Sequence, residues 1–235
     1  MQGQDAGDTV KRLDKADLPA RPQQIFNDLY RRVCGQTSLI SPAVMSLATS
    51  GPDDEGPSVR TVIMKRFNED EGTIEFVSSS NSPKGRRFLI LISLFLYQSN
   101  AGEAMERNPT VEALFLWNYP PTIYQVRVHG KAVKSSAEET ARYFSELPES
   151  WKAGLWAFRQ SEEVGSLEEQ MRRVNEGLET HTGEWEVPST WSAYKIVPES
   201  FDFYFGHGLF PAVDRFKYLR RSPDRDEWDL VRLCP

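Results

Sequence analysis

Residues 58–78, SVRTVIMKRFNEDEGTIEFVS, decide the fold, because they contain two strand-like segments separated by a turn. Residues 58–67 are rich in β-branched and apolar side chains, and residues 73–78 repeat that composition. The intervening residues 68–72 (NEDEG) are polar and end in glycine, as turns commonly do. We therefore predict a β-hairpin with basic residues set into its first strand.

The basic residues of that first strand fall on both of its faces. Successive side chains of an extended chain point to opposite sides. Arg60 therefore shares a face with Val62, whereas Lys65 shares the opposite face with Ile63. The hairpin thus presents positive charge in two directions.

The rest of the chain adds more short apolar segments of the same kind. Strands are predicted at residues 44–49, 111–117, 123–133, 192–197, 200–205, 215–219 and 228–233. An amphipathic helix is predicted at residues 24–33, and capping residues mark helix starts at Ser82, Ser136 and Ser166. Many short strands with three or four helices predict a mainly β protein, a closed or semi-closed antiparallel barrel with flanking helices.

The composition is that of a globular protein. Of 235 residues, 39% are hydrophobic, 26% charged and 11% aromatic. These values exclude collagen-like, disulfide-framework and wholly disordered chains. The formal net charge of −6 argues against nucleic acid or an anionic membrane as a partner.

Cysteine and histidine are too sparse and scattered to build a framework or a metal site. Cys34 and Cys234 lie near opposite ends of the chain, and the three histidines are far apart in sequence. The first residues are polar and lack an apolar signal core. We expect a cytoplasmic protein with a flexible arm at residues 1–16 and a single domain at residues 17–235.

One helix start has the features of an anion site. Ser82 would cap this helix, and Lys84 would lie in its first turn, where free N–H groups and the helix dipole favour a phosphate. Strand residues could add further cations: Arg60, Lys65, Arg127 and Arg215. Each of these charges, taken alone, is more often a solvated surface residue. The sequence contains no nucleophile elbow, Walker motif or dinucleotide fingerprint, so any chemistry is expected from a bound cofactor.

Twelve segments in order resemble the pyridoxamine 5'-phosphate oxidase family, FMN-dependent enzymes that make pyridoxal phosphate. They include PSVRTVIMKRF (57–67), EFVSSSNSPKGRR (75–87), NPTVEALFLW (108–117) and EWDLVRLCP (227–235). The resemblance runs from about Asp17 to the C-terminus. It implies an FMN-binding split β-barrel that forms a homodimer, with FMN at the subunit interface and residues 183–235 serving dimerisation and substrate.

The resemblance also implies which residues hold the cofactor. The matching positions for FMN are Arg60, Thr61, Val62, Ile63, Ser78, Lys84, Gln125, Gln160, Ser161, Tyr204 and Arg215. One family arginine at the phosphate-binding helix start is Pro83 here. Neither a catalytic side chain nor a metal ligand is predicted, because the flavin supplies the chemistry.

The substrate site matches the family less completely. Lys65, Tyr143 and Ser150 are the expected substrate contacts. A family arginine that grips the substrate phosphate falls on Leu147, and a nearby serine falls on Trp151. The family's R-L-H triplet is replaced by PAV at residues 211–213. Losing these groups should cost several kcal/mol of binding, at roughly 1.5–3 kcal/mol per charged hydrogen bond.

The apolar run FLILISLFLY at residues 88–97 lengthens the chain between Lys84 and Asn108 relative to the family. We interpret residues 88–102 as an atypical insertion, arising either from a gene-model error such as a translated intron or from a genuine apolar segment. Transcript reads that contain this stretch would exclude the first explanation.

Three functions are compatible with these observations. The leading one is oxidation of pyridoxine or pyridoxamine 5'-phosphate at C4', with O2 as the acceptor and pyridoxal 5'-phosphate and H2O2 as products. The second is a split-barrel flavin oxidoreductase with a different substrate. The third is a binding module for FMN or pyridoxal phosphate without turnover, and a barrel without any ligand is the least favoured reading.

Overall fold

The computed structural model describes residues 13–35, 41–50, 56–79, 105, 108–158, 163–206 and 213–235. The strands within these residues are β1 (Val44–Ser50), β2 (Pro57–Asn68), β3 (Thr73–Ser79), β4 (Thr110–Tyr119), β5 (Thr122–Lys134), β6 (Trp191–Gly206), β7 (Val213–Ser222) and β8 (Arg225–Arg232). The helices are α1 (Pro22–Cys34), α2 (Ala137–Ser145), α3 (Glu149–Ala157) and α4 (Leu167–Thr180), preceded by a 3-10 turn at Lys15–Asp17.

The strands form one sheet in the order β3-β2-β1-β4-β5-β6-β7-β8, and β3 also pairs with β6. That additional pairing closes β1 to β6 into a six-stranded barrel, while β7 and β8 extend beyond it. A closed barrel leaves no free edge among its own strands. The predicted mainly β barrel with flanking helices is confirmed.

The chain divides into two compact units. The hairpin unit comprises Ala43–Ala113 and His129–Pro198, and the terminal unit comprises Met1–Pro42, Leu114–Val128 and Glu199–Pro235. Each unit is described below by its own contacts.

The hairpin unit buries apolar side chains on both faces of its strands. Residues of β1, β2, β3 and β6 fill one face with side chains at most 6% exposed: Met45, Leu47, Val62, Met64, Ile74, Phe76, Tyr194 and Ile196. On the other face, Tyr143 and Phe144 of helix α2, together with Leu147 just after it, pack against Trp191 and Ala193 of β6. This helix begins as predicted, with Ser136 and Glu139 forming a reciprocal capping box.

The terminal unit is built around an aromatic cluster beneath α1. Phe26 of α1 is fully buried and makes edge-on contacts with Phe115, Trp117 and Phe201. The predicted helix at residues 24–33 is therefore confirmed, with its apolar side as the buried side.

Two sequence-based expectations are corrected. The segments 192–197 and 200–205 form one continuous strand, β6, instead of two. Pro198 lies where β6 changes partner, since β3 pairs with it up to Ile196 and β7 pairs with it from Ser200. A proline is best tolerated at such a position, where neither ladder needs its missing N–H. Helix α3 was not predicted, because Pro148 occupies its N-cap without the side-chain cap that marks the other starts.

Candidate functional site

Arg60 is a half-buried cation on β2, on the same face of the sheet as the buried side chains of Leu47 and Val62. Its guanidinium donates to the Thr49 hydroxyl at 2.5 Å and to the Leu47 carbonyl at 3.5 Å. Burial lowers the pKa of Arg60, although an arginine stays protonated at neutral pH. Among the residues that the structure describes, no carboxylate pairs with this guanidinium. A partly desolvated cation without an anionic partner fits a phosphate group.

The neighbouring residues that the resemblance assigns to FMN lie on β2 and β3. Val62 and Ser78 are buried, Ile63 is half-buried and Thr61 is exposed. Met64 is the Cα partner of Phe76. Because side chains alternate along a strand, Val62 and Ser78 therefore lie on the same face as Arg60.

A β-bulge changes the direction of β2 at the predicted substrate residue Lys65. The register shifts between Met64 and Arg66, so that Met64 faces Phe76 while Arg66 faces Glu75. Lys65 and Arg66 are consequently both exposed, which breaks the alternation seen earlier in the strand.

The other predicted substrate residue, Tyr143, is bound to a buried carboxylate. Glu75 is 1% exposed and accepts a short hydrogen bond from the Tyr143 hydroxyl. Burial and then the hydrogen bond and charge of Glu75 raise the pKa of Tyr143 to about 12. Two guanidinium groups flank the same carboxylate, with Arg66 Nε at 3.5 Å and an Arg142 terminal nitrogen at 3.6 Å. Tyr143 is therefore a hydrogen-bond donor inside the protein.

The residues that replace family substrate groups have different environments. Leu147 is 9% exposed and belongs to the apolar cluster beneath α2. Trp151 is 38% exposed on α3, and Ser150 is exposed in the first turn of that helix. The surroundings of Leu147 are thus apolar.

In the terminal unit, a buried carboxylate aligns two arginines. Asp202 of β6 is 4% exposed and accepts from Arg215 at 3.0 and 2.8 Å and from Arg127 at 2.6 Å. Burial alone would raise the pKa of Asp202, but the bonds from both arginines outweigh it and lower that pKa. The bonds to Asp202 in turn raise the pKa of Arg215.

The three FMN residues predicted in this unit share that surface. Tyr204 is the Cα partner of Arg215, and it lies on the same face of β6 as Asp202, two residues away. Gln125 is half-buried on β5, two residues before Arg127 and on the same face. The terminal unit therefore brings Gln125, Tyr204 and Arg215 to one face of neighbouring strands.

Some predicted residues lie outside the described residues: Lys84, Gln160, Ser161, Pro211, Ala212 and the insertion 88–102. Their assignments stay predictions. Val213, the last residue of the altered triplet, is half-buried at the start of β7.

Sequence reasoning missed Thr49, Glu75 and Asp202, the partners that orient the predicted residues. Glu75 and Asp202 each interrupt an apolar strand, in TIEFVS and FDFYF, and a charge in such a position is a usable signal of a buried ion pair. Thr49 gave no such signal, because threonine is common in strands.

Other features of the described residues do not coincide with this site. A cavity of about 290 Å3 lies between α3, α4 and residues 188–190, and no predicted site residue within the described ranges lines it. No group of three or more His, Cys, Asp or Glu in the described ranges is placed to hold a metal ion. None of the helices in the described part of the chain is long and apolar enough to cross a membrane.

The fold and the two arginine-bearing surfaces define a split-barrel protein of the FMN-binding class. A model of the family described as pyridoxamine 5'-phosphate oxidase matches residues 36–175. The chain belongs to that family. A pyridoxine/pyridoxamine 5'-phosphate oxidase of Rippkaea orientalis is 33% identical over 226 residues, covering 95% of this chain and 93% of the relative. One from Rubrobacter xylanophilus is 36% identical over 202 residues, covering 85% and 81%.

Solved structures confirm the fold. PhzG from Burkholderia lata, in complex with tetrahydrophenazine-1-carboxylic acid, superposes with a TM-score of 0.74 at 19% identity, covering 96% of this chain and 99% of PhzG. An FMN-binding, pyridoxamine 5'-phosphate oxidase-related protein from Nostoc punctiforme gives a TM-score of 0.63 at 18% identity, covering 93% and 100%. The predicted family, split-barrel fold and FMN class are thereby confirmed.

Proposed function

We propose that this protein is an FMN-dependent oxidase that converts pyridoxine or pyridoxamine 5'-phosphate to pyridoxal 5'-phosphate, with O2 reduced to H2O2. The observation that carries the proposal is Arg60, a half-buried guanidinium with no carboxylate partner among the described residues. The curated relatives named as oxidases of these vitamers support the reaction.

The chain's own residues would bind FMN and orient it. Arg60, held by the Thr49 hydroxyl, would pair with the FMN phosphate, and Lys84 would add a second cation. Gln125, Tyr204 and Arg215 would contact the flavin from the face that Asp202 organises. When bound, FMN would supply the hydride acceptor that later reduces oxygen. The protein contributes position and charge, which convert a bimolecular encounter into a reaction within one complex.

A flavin spectrum followed by an oxidase assay on the same sample tests this function. We expect a yellow protein that releases H2O2 when pyridoxine 5'-phosphate is added. Arg60→Ala should lower FMN affinity about 10- to 100-fold, as loss of a charged hydrogen bond of roughly 1.5–3 kcal/mol implies. Arg172→Gln, which removes an exposed arginine of α4, is the matched control. An FMN affinity in Arg60→Ala equal to that of the wild type would contradict the assignment of Arg60.

A second candidate is a flavin oxidoreductase of this family with a different substrate. It is favoured by Leu147, which is packed in an apolar cluster where the family has a phosphate-binding arginine. PhzG, which has a similar fold, was solved in complex with tetrahydrophenazine-1-carboxylic acid. H2O2 release with pyridoxine 5'-phosphate at a rate above that of the free flavin would exclude this candidate. Bound flavin that turns over another substrate and leaves pyridoxine 5'-phosphate unchanged would support it.

The proposal includes a homodimer in the cytoplasm. Val59 and Leu116, each about two-thirds exposed (67% and 66%), would gain from burial at an interface. Cys34 and Cys234 are free and exposed, as suits a reducing compartment. Sedimentation equilibrium of the flavin-loaded protein tests the dimer, and a monomer would exclude it.

A further inference from the structure

Several basic side chains of the hairpin unit lie close to one buried carboxylate, Glu75. Glu75 is the single carboxylate that ion-pairs with both Arg66 and Arg142 in the described residues. Lys195, the Cα partner of Glu75, is bound at 2.7 Å by Glu139, and Glu139 also acts on Arg142. Lys65 adds another positive charge beside Arg66.

The carboxylate of this cluster is buried, whereas the two arginines around it are about half exposed and accessible to a ligand. The Glu75 side chain is 2% exposed, whereas the side chains of Arg66 and Arg142 are 48% and 46% exposed. The Glu75 carboxylate therefore contacts both arginines from the buried side of the cluster. Their outer N–H groups face solvent, where a ligand could reach them.

The contacts with Glu75 also leave N–H groups of Arg66 and Arg142 available to bind an anion. Arg66 faces the carboxylate with Nε, the nitrogen nearest the backbone, which leaves both terminal nitrogens for another acceptor. Arg142 faces it with one terminal nitrogen and lies 4.8 Å from the centre of the Tyr143 ring, which restricts its movement. The contacts with Glu75 favour these arginine orientations, which reduces the conformational entropy that the arginines lose when they bind an anion.

Two elements of structure bring the arginines together. The β-bulge places Arg66 opposite Glu75 and keeps Lys65 exposed beside it. Helix α2 contributes Arg142 directly before Tyr143, whose hydroxyl is committed to Glu75. Tyr143 therefore lacks a free proton with which to bind an anion, and the two arginines, with Lys65 beside them, are the donors that remain.

We infer that Arg66 and Arg142, positioned by Glu75, form the binding site for the anionic group of the substrate. This inference rests on the proposed function and on the expectation, implied by the family resemblance, that Lys65 and Tyr143 contact the substrate. The pair takes over the task of the family arginine that Leu147 replaces. The ligand chemistry is a phosphate monoester or an aromatic carboxylate, both of which accept paired N–H groups from arginine.

The test measures binding to the FMN-loaded protein with probes that it cannot oxidise at C4'. One pair is 4-deoxypyridoxine 5'-phosphate and 4-deoxypyridoxine, and the other is phenazine-1-carboxylate and phenazine. We expect Arg66→Gln and Arg142→Gln each to weaken binding of one charged probe about tenfold and to leave its neutral counterpart unchanged. The probe that responds identifies the source of the anion. Arg172→Gln, remote on α4, should change neither.

Several results would overturn the inference. Equal weakening for charged and neutral probes would indicate a general structural effect, and no weakening would show that the arginines are solvated surface charges. Failure of both charged probes to bind the yellow protein would also refute the pair, while the bound flavin would leave the FMN assignment standing. A protein that takes up no FMN would instead refute the proposed function itself.

Discussion

Replacing Asp202 by asparagine should destabilise the terminal unit because it removes the charge that two arginines share. Asp202 is 4% exposed and accepts three hydrogen bonds from Arg127 and Arg215. A bond to a charged group contributes roughly 1.5–3 kcal/mol, but the arginine side chains are 39% and 27% exposed, which weakens each bond. We expect Asp202→Asn to lower the free energy of unfolding by about 2–4 kcal/mol.

The assay is urea denaturation followed by tryptophan fluorescence, with Asp229→Asn as the matched control. Asp229 accepts from Arg221 with similar geometry, at 2.8 and 2.6 Å, but its side chain is 53% exposed. We expect little change in the control, since solvent screens an exposed pair. Equal effects of the two substitutions would refute the reasoning that burial makes the Asp202 cluster important.

The same cluster predicts a dependence on pH. The pKa of Asp202 in the folded protein is lowered below its ordinary value. Its contribution to stability is therefore complete above the unfolded pKa of about 3.9 and is lost as the pH falls below that value toward the folded pKa. Wild type should lose more stability than Asp202→Asn when the pH is lowered through this range. Parallel acid profiles for the two proteins would exclude the ion pair as the cause.

Two further predictions concern the hairpin unit. Gly130→Ala should destabilise the protein by about 1–3 kcal/mol, because the added Cβ would lie 2.2 Å from the Val197 carbonyl oxygen. In helix α3, the Cβ added by Gly154→Ala meets nothing within 4 Å, so this substitution should stabilise the protein by about 0.5–1 kcal/mol. Chemical denaturation measures both, and similar effects of the two would contradict the contact. Tyr143 should ionise near pH 12, and Glu75→Gln should lower the pKa of Tyr143 by removing the neighbouring charge. Ultraviolet titration against Tyr143→Phe isolates this phenol, and an unchanged pKa in Glu75→Gln would disprove the link.

The strands and caps could be predicted because they depend on local patterns. Two β-branched, apolar segments around a polar turn located the hairpin. The S-x-x-E spacing located α2 and α4, since a capping hydrogen bond joins residues only three apart. The ordered segments gave the family and hence the FMN residues, which the structure distributes over the two units.

The partners of those residues depend on tertiary structure. Sequence alone determined that Arg60, Tyr143 and Arg215 are candidate site residues. Only the fold decided that Thr49, Glu75 and Asp202 bind them, because these pairs are brought together by strand register and by helix packing over long separations in sequence. The β-bulge at Lys65 was likewise decided by the tertiary structure, because a register shift depends on how two strands pair and cannot be read from either strand alone.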